Sequence, residues 1–341
     1  MSRPLDDRYS RQLLFRPFGS EGQVRVRAAR VLVAGCGGLG AESASLLARA
    51  GVGFLRIVDR DVVELSNLQR QALFDEADVR EGLPKAVAAA RRIARVNADV
   101  TVDPVVADVG PRNVRDLLDG IDLVVDGFDS FEARFLLNDA CVETGLPWVY
   151  GACIASTGLA ALLVPGVTPC LRCLLGEVPE PGAAATCDTA GILGPAAHLA
   201  ASMQVGRALR YLATREAPAE GELVYGDVWE GRFTRMVVPR DPACPCCVSR
   251  RFDFLSVETP QASVLCGRDS VQVRPLVPAR PDFASLAERL RPLGEVVSND
   301  YLLRFRTGEI EMTLFSDGRA IVKGTSDPAR ARSLVARTFG V

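Results

Sequence analysis

Histidine is almost missing from this 341-residue chain; His198 is the only one. A multi-histidine metal site is thereby excluded, and a Ser-His-Asp or Cys-His triad would rest wholly on that side chain. Lysine is nearly as scarce: of 40 basic residues only Lys85 and Lys323 are lysines. Charge of one sign is lacking too. With 42 acidic residues the formal net charge is −2, which gives no electrostatic footprint for nucleic acid. No uninterrupted apolar run reaches the ~18 residues a membrane helix needs, so no membrane association is expected. The start, MSRPLDDRYSRQLLF, lacks the apolar stretch of a secretory signal. Together these absences point to the cytoplasm.

What the chain has in quantity is cysteine, ten in all. In a long chain without a secretory signal they read as metal ligands, buried small residues or reactive thiols, and not as a disulfide scaffold. A composition 48% hydrophobic and 24% charged is that of an ordinary globular chain, and the length allows roughly two domains.

Alternating elements define the fold class. A β-branched run at 30–34 is followed by Gly35-Cys-Gly-Gly-Leu-Gly40, a helix-forming stretch at 41–50 and a second strand at 54–58 ending on Asp59. That is a βαβ unit with a right-handed crossover. Further strands are expected at 100–106, 123–125, 148–150 and 160–164, with helices at 84–96, 134–144 and 195–211. The pattern predicts an α/β fold with a doubly wound, Rossmann-like mixed sheet. Residues 176–186, rich in Gly, Pro and Ala, are expected to form a mobile loop. A boundary near 260 separates residues 1–259 from a small α+β domain at 260–341. That second domain should hold a strand at 271–274, a helix at 283–290, short strands between 295 and 323, and a last helix from Pro328.

Gly35, Gly37, Gly38 and Gly40, with Asp59 about twenty residues on, match a dinucleotide-type fingerprint. Such glycines let backbone approach a phosphate at a helix N-terminus, and an acid closing the second strand can bind ribose hydroxyls. A tight turn without ligand would use the same glycines. The string DRDVVELSNLQRQ then brings Asp61, Asn67 and Arg70, and Lys85 follows Pro84 at a helix start. A nicotinamide enzyme has only a diphosphate to hold, whereas a nucleoside triphosphate calls for cations at close range. Solvated surface charge explains most arginines here; a lone lysine kept at position 85 is harder to explain that way. Asp126 and Asp129 lie past the 123–125 strand, where open α/β sheets bind ligands, and a carboxylate there can hold Mg²⁺ with phosphates. Asp129 could equally cap the following helix.

Cys170-Leu-Arg-Cys173 and Cys244-Pro-Cys-Cys247 form two C-x₂-C pairs about seventy residues apart. They suit a four-thiolate structural zinc (Zn²⁺) site, with Cys246 an extra thiol that could substitute for a neighbour. Cys187, alone after the 176–186 loop, is a candidate nucleophile. Cys36, Cys141, Cys153 and Cys266 read as core fillers, and His198 as a structural residue in an apolar helix.

RYSRQLLF, GCGGLG, VDRDVVELSNLQRQ, the Pro-Lys at 84–85, FDSFEAR, the paired knuckles and TCDTAGILG occur in order over residues 8 to about 250. Together they resemble the ThiF/MoeB family, bacterial relatives of ubiquitin-activating enzymes. The resemblance implies ATP-dependent adenylation of the C-terminal glycine of a ubiquitin-like sulfur carrier ending in Gly-Gly, with release of pyrophosphate. It implies that Asp59 binds ribose, that Asn67, Arg70 and Lys85 hold the phosphates, and that Asp129 holds Mg²⁺. Arg11 would reach into the partner subunit's ATP site, making the protein a homodimer. In some members the cysteine at position 187 bonds to the carrier or takes part in sulfur transfer, which allows a sulfurtransferase as a further partner. The chain departs from the family's Thr-Asp-Asn at Phe128-Asp129-Ser130. Its tail from about 262 resembles the extension of longer ThiF-type proteins linked to thiamin thiazole synthesis. By analogy with the ubiquitin-fold domains of larger enzymes it is expected to dock a carrier or partner. The competing readings are an NAD-dependent oxidoreductase and a non-catalytic carrier-binding relative; Arg11, Arg70, Lys85 and Asp129 together favour neither.

Overall fold

The computed structural model describes residues 5–179, 187–257, 261–264, 269–275 and 280–340. The chain divides into two compact units, Met1–Val257 and Glu258–Val341.

The first unit is built on an eight-stranded sheet. Its strands are β1 (Arg30–Ala34), β2 (Phe54–Asp59), β3 (Thr101–Val106), β4 (Leu123–Asp126), β5 (Trp148–Ile154), β6 (Thr157–Leu163), β7 (Gly221–Asp227) and β8 (Arg232–Val238). They lie in the order β3-β2-β1-β4-β5-β6-β7-β8. The first five run parallel, and β5 through β8 continue the sheet as an antiparallel meander. The mixed, doubly wound sheet expected from the sequence is the one observed.

The period of two explains how the sheet is buried. In β1, Val31 and Val33 face a core shared with helices Gly38–Ala50, Lys85–Val96 and Gly194–Thr214, through Leu47, Ile93 and Leu212. Leu32 and Ala34 face the other core, with Phe135 and Leu137 of helix Phe131–Thr144 and with Trp148 of β5. Both faces are covered, which is why the parallel strands read as continuous apolar runs without alternation. Edge strand β3 accommodates Pro104, which a central strand could not.

The hairpin of β7 and β8 was not anticipated from the sequence. Gly221 and Gly226 interrupt the first strand, and the first six residues of the second, Arg232–Val237, are all exposed, so neither shows apolar periodicity. Pairing with β6 forms β7, and β7 in turn templates β8.

The second unit holds β9 (Ala262–Val264), β10 (Ser270–Val273), β11 (Glu295–Ser298), β12 (Leu302–Thr307), β13 (Ile310–Phe315) and β14 (Ala320–Lys323). Their order is β11-β12-β13-β14-β10-β9, antiparallel throughout. Helices Phe283–Leu290 and Pro328–Phe339 contribute Ala287, Leu290, Val335 and Phe339 to the same core as Leu303, Phe305, Met312, Leu314 and Val322. Asp282 and Asp327 cap these helices, each accepting backbone N–H bonds from the first turn. The unit is α+β, as its element pattern suggested.

Candidate active site

The chain order reverses at β1 and β4. From β1 it passes outward to β2 and β3, then returns to β4 and β5 on the other side. Ligands bind at such a switch point, beyond the carboxyl ends of the strands. Two segments leave the sheet there: the glycine loop after β1 and residues 127–130 after β4.

Gly35 has φ +92°, and a Cβ on it would lie 2.7 Å from the Gly127 carbonyl oxygen, so glycine is required on both conformational and steric grounds. A Cβ on Gly40 would fall 1.9 Å from the Gly35 carbonyl oxygen. This contact folds the loop tightly onto the first turn of helix Gly38–Ala50 and leaves the helix's first amides facing the loop. Gly37 faces Gln71, and Gly38 lies against Ala197 and the aliphatic stem of Arg70. Gly40→Ala is expected to open the turn, lowering stability by roughly 2–4 kcal/mol and weakening nucleotide affinity in parallel. Calorimetric unfolding and titration with ATP would measure both losses.

Asp59 ends β2 directly below this loop. Its Oδ2 accepts from the Cys36 amide at 2.6 Å and its Oδ1 from the Asp61 amide at 2.7 Å. Desolvation pushes the Asp59 carboxyl above its ordinary value, and the Lys85 ammonium pulls it partly back. Lys85 is 4% exposed and opens helix Lys85–Val96. Its amide donates to the Asp61 carbonyl at 2.9 Å, and its Nζ lies 3.4 Å from Asp61 Oδ2. Burial drives the Cys36 thiol far up, so this loop cysteine stays a neutral filler.

Asn67 is buried in a one-turn 3₁₀ helix, its Oδ1 accepting from the Glu64 amide at 3.0 Å. Its Nδ2 has no partner among the described residues, and neither has Oε1 of buried Gln71 beside the glycine loop. A buried donor left unused carries a desolvation cost that an acceptor ligand would remove. Arg70, half-buried, is steadied by the Ser66 carbonyl at 3.0 Å.

The two acids past β4 separate in role. Asp126 is fully buried, 3.0 Å from Arg134 Nε, and it accepts from the amides of Phe128 (2.9 Å) and Gly151 (3.4 Å). Fully enclosed and ion-paired inside the fold, Asp126 is structural, whereas Asp59 is only partly buried. Asp129 is exposed at the loop and stays open to a ligand. It is not the helix cap: Ser130 is, its Oγ accepting from the Ala133 amide at 3.3 Å. The serine that replaces the family's asparagine therefore starts the helix.

Four neighbours of the candidate site were not singled out from the sequence. Arg60 lies 3.2 Å from Asp108 and 3.9 Å from Asp61. Although desolvation opposes it, those carboxylates, with Asp129 and Asp59 beyond, hold its guanidinium above the ordinary value. Arg134 and Gln204 clamp the segment after β4: Gln204 Nε2 donates to the carbonyls of Asp126 (2.8 Å) and Val149 (3.2 Å). Gln71 stood inside the motif string but revealed its place only through the fold.

Away from the sheet edge, the Sγ atoms of Cys170, Cys173, Cys244 and Cys247 all lie within 4.8 Å of one another. Three of the pairs are 3.9, 3.6 and 3.6 Å apart. A tetrahedron of thiolates with ~2.3 Å Zn–S bonds has edges of about 3.8 Å, so the donor set fits zinc. Cys246 is buried outside this group and accepts from Asn138 Nδ2 at 3.2 Å. The other sequence candidates lie apart. Arg11 is exposed on the short helix Ser10–Leu13, with no ion pair among the described residues. Helix Cys187–Ala190 is described, but the Cys187 side chain, residues 180–186 and Cys266 lie outside the described residues. His198 is half-exposed, 3.4 Å from Glu42.

No helix among the described residues is long and apolar enough to cross a membrane. Against known proteins, the chain is 46% identical to the sulfur carrier protein ThiS adenylyltransferase of Bacillus subtilis, over 98% of this chain and 99% of that protein. It is 43% identical to the SAMP-activating enzyme E1 of Haloferax volcanii, over 71% of this chain and 88% of the other. The crystal structure of E. coli MccB with MccA-N7isoASN shares the fold at a TM-score of 0.63 and 22% identity, covering 72% of this chain and 76% of that one. Residues 9–246 match the ThiF family, and the chain belongs to it.

Proposed function

We propose that this protein is a nucleotidyltransferase that uses ATP to adenylate the C-terminal glycine of a ubiquitin-like sulfur carrier. The observation that carries the reading is one sheet edge bringing together the glycine loop, Asp59, Lys85 and Asp129, with the unused donor of Asn67 nearby. An NAD enzyme would have no use for so many phosphate-binding groups, and a relative near-identical in length bears an adenylyltransferase name.

On this reading Asp59 binds the ribose hydroxyls, while Asn67, Arg70 and Lys85 hold the triphosphate. A carrier carboxylate oxygen bonds to the α-phosphorus as the bond to the bridging oxygen breaks, releasing pyrophosphate and leaving an acyl-adenylate. Such a displacement needs little covalent help, only alignment and charge neutralisation. Asp129 is the carboxylate free to hold Mg²⁺, an ion that takes one or two carboxylates plus phosphate oxygens and supplies charge compensation when bound. The four-cysteine cluster would hold Zn²⁺ as a closed structural site.

Arg11, exposed beside Leu14 (71% exposed) and Phe15 (64%), would complete the site of a second copy in a homodimer that covers these apolar side chains. Edge strand β8 exposes Phe233, Met236 and Val237, with Trp229 in the turn before it, and is the surface assigned to the carrier. Catalysis belongs to residues 1–259, and the 260–341 domain is assigned to docking. Cys187 is the candidate for covalent or sulfur transfer, where a sulfurtransferase would act.

Pyrophosphate exchange into ATP is expected only with a carrier ending in Gly-Gly, and truncation of that tail should abolish it. Asp129→Asn should reduce exchange by roughly 10²-fold or more while leaving the fold intact. Exchange that proceeds without a carrier, or that survives loss of Asp129, would sink the assignment.

A further inference from the structure

Helix Phe131–Thr144 carries Arg134 and Asn138 four residues apart, and therefore on one face. Both side chains are buried, Asn138 completely. One end of this face reaches the nucleotide site. Besides its ion pair with Asp126, Arg134 donates to the carbonyls of Phe128 (2.6 Å) and Gly151 (3.1 Å), and so fixes the segment that presents Asp129.

The next turn reaches the thiol cluster. Asn138 uses both ends of its amide: Oδ1 accepts from the Leu171 amide at 2.8 Å, next to Cys170, and Nδ2 donates to Cys246 Sγ at 3.2 Å, next to Cys247. Each knuckle is thus tied to the same side chain. Directly after Asn138, Asp139 accepts from the Phe254 amide at 3.0 Å just past the second knuckle, and one turn further Val142 packs with Cys170, Cys244 and Cys246. An apolar residue would fill the space of Asn138, but it could not join two loops 74 residues apart in sequence, the separation of the Cys170–Cys244 pair. A helix is rigid over two turns, so order at one end is carried to the other.

We propose that Asn138 is a positioning residue: with Arg134 on the same helix face it couples the four-thiol cluster to the loop bearing Asp129. Cys246 is its anchor on the second knuckle and not a metal ligand. The inference rests on the zinc and Mg²⁺ readings given above. The coupling predicts that loss of metal from the cluster loosens the Asp129 loop without unfolding the sheet.

Hydrogen exchange of the full-length wild-type chain, with zinc and after removal of zinc by a chelator under reducing conditions, tests this directly. Amides of residues 126–138 are expected to lose about tenfold or more in protection on zinc removal, while β2 and helix Lys85–Val96 hold theirs. A uniform loss throughout the domain, or no loss at 126–138, would overturn the coupling. Failure to bind zinc at all would instead strike the metal reading itself, and the inference with it. In zinc-loaded Asn138→Leu, the Mg²⁺ concentration for half-maximal pyrophosphate exchange should rise at least about fivefold. An unchanged Mg²⁺ requirement in that folded variant would refute the positioning role. Cys246→Ser should retain one zinc per chain, and loss of the metal there would make Cys246 a ligand.

Discussion

Replacing Lys85 by alanine is expected to lower carrier-dependent pyrophosphate exchange by roughly 10²–10³-fold. The ammonium is 4% exposed and 3.4 Å from Asp61, at the first residue of a helix whose free amides add to its attraction for anions. In the free protein it offsets the acids beside it; with a triphosphate bound, the same charge faces phosphate oxygens from a desolvated position. Lys85→Arg keeps the charge but forces a larger planar head into a buried site, so only a small part of the activity should return. Lys85→Ala also removes the cation that counters the upward push on the Asp59 carboxyl, so Asp59 should titrate higher still. A carboxyl raised in the folded state gives most stability when protonated and loses it as pH rises through its folded value. The variant's unfolding temperature should therefore fall more steeply toward neutral pH than the wild type's. Exchange kinetics in a variant with intact zinc content separate the catalytic loss from misfolding, and activity above half of wild type would exclude Lys85 from phosphate binding.

The second large effect is expected at the cysteine cluster. Substituting Cys173 or Cys244 by serine should remove the metal and lower the unfolding temperature by roughly 10 °C or more. In a unit of this size each kcal/mol is worth about 2–4 °C, and a structural zinc contributes several kcal/mol. The cluster closes on residues far apart in sequence: Cys170 approaches Cys244 at 3.6 Å and Cys173 approaches Cys247 at 3.6 Å. Without a cation the four sulfurs would crowd together in a half-buried site, and only hydrogen bonds such as those at Cys246, Cys247 and Phe254 would be left to hold the second knuckle. Metal analysis paired with calorimetry checks this. A stable, metal-free serine variant with an unshifted transition would show that the cluster is not a structural centre.

Much of this architecture was legible in the order of residues. β1, the glycine loop and Asp59 sit within thirty residues of one another, so local pattern alone placed them in a βαβ unit. The helices Phe283–Leu290 and Pro328–Phe339 start where the residue pattern placed them, and the structure shows Asp282 and Asp327 capping their first turns. The β7–β8 hairpin was not found, since its strands are defined by pairing and not by their own periodicity. Arg60 looked like any of the chain's many arginines until β3 brought Asp108 to it.

The sequence by itself determined the parts that short spacing can encode: the glycine loop with its acid, the lone lysine at a helix start, and two cysteine pairs. Only the tertiary structure decided which of two neighbouring acids is spent on the fold and which is free. Asp126 is enclosed by Arg134, Phe128 and Gly151, whereas Asp129 is exposed. It also decided that Asn138, 108 positions earlier, donates to Cys246, while Cys170, Cys173, Cys244 and Cys247 gather their sulfurs within 4.8 Å of one another. The physical reason is common to both. Burial, charge and hydrogen-bond partnership are set by groups that meet across the sheet, and sequence spacing carries no record of those distances.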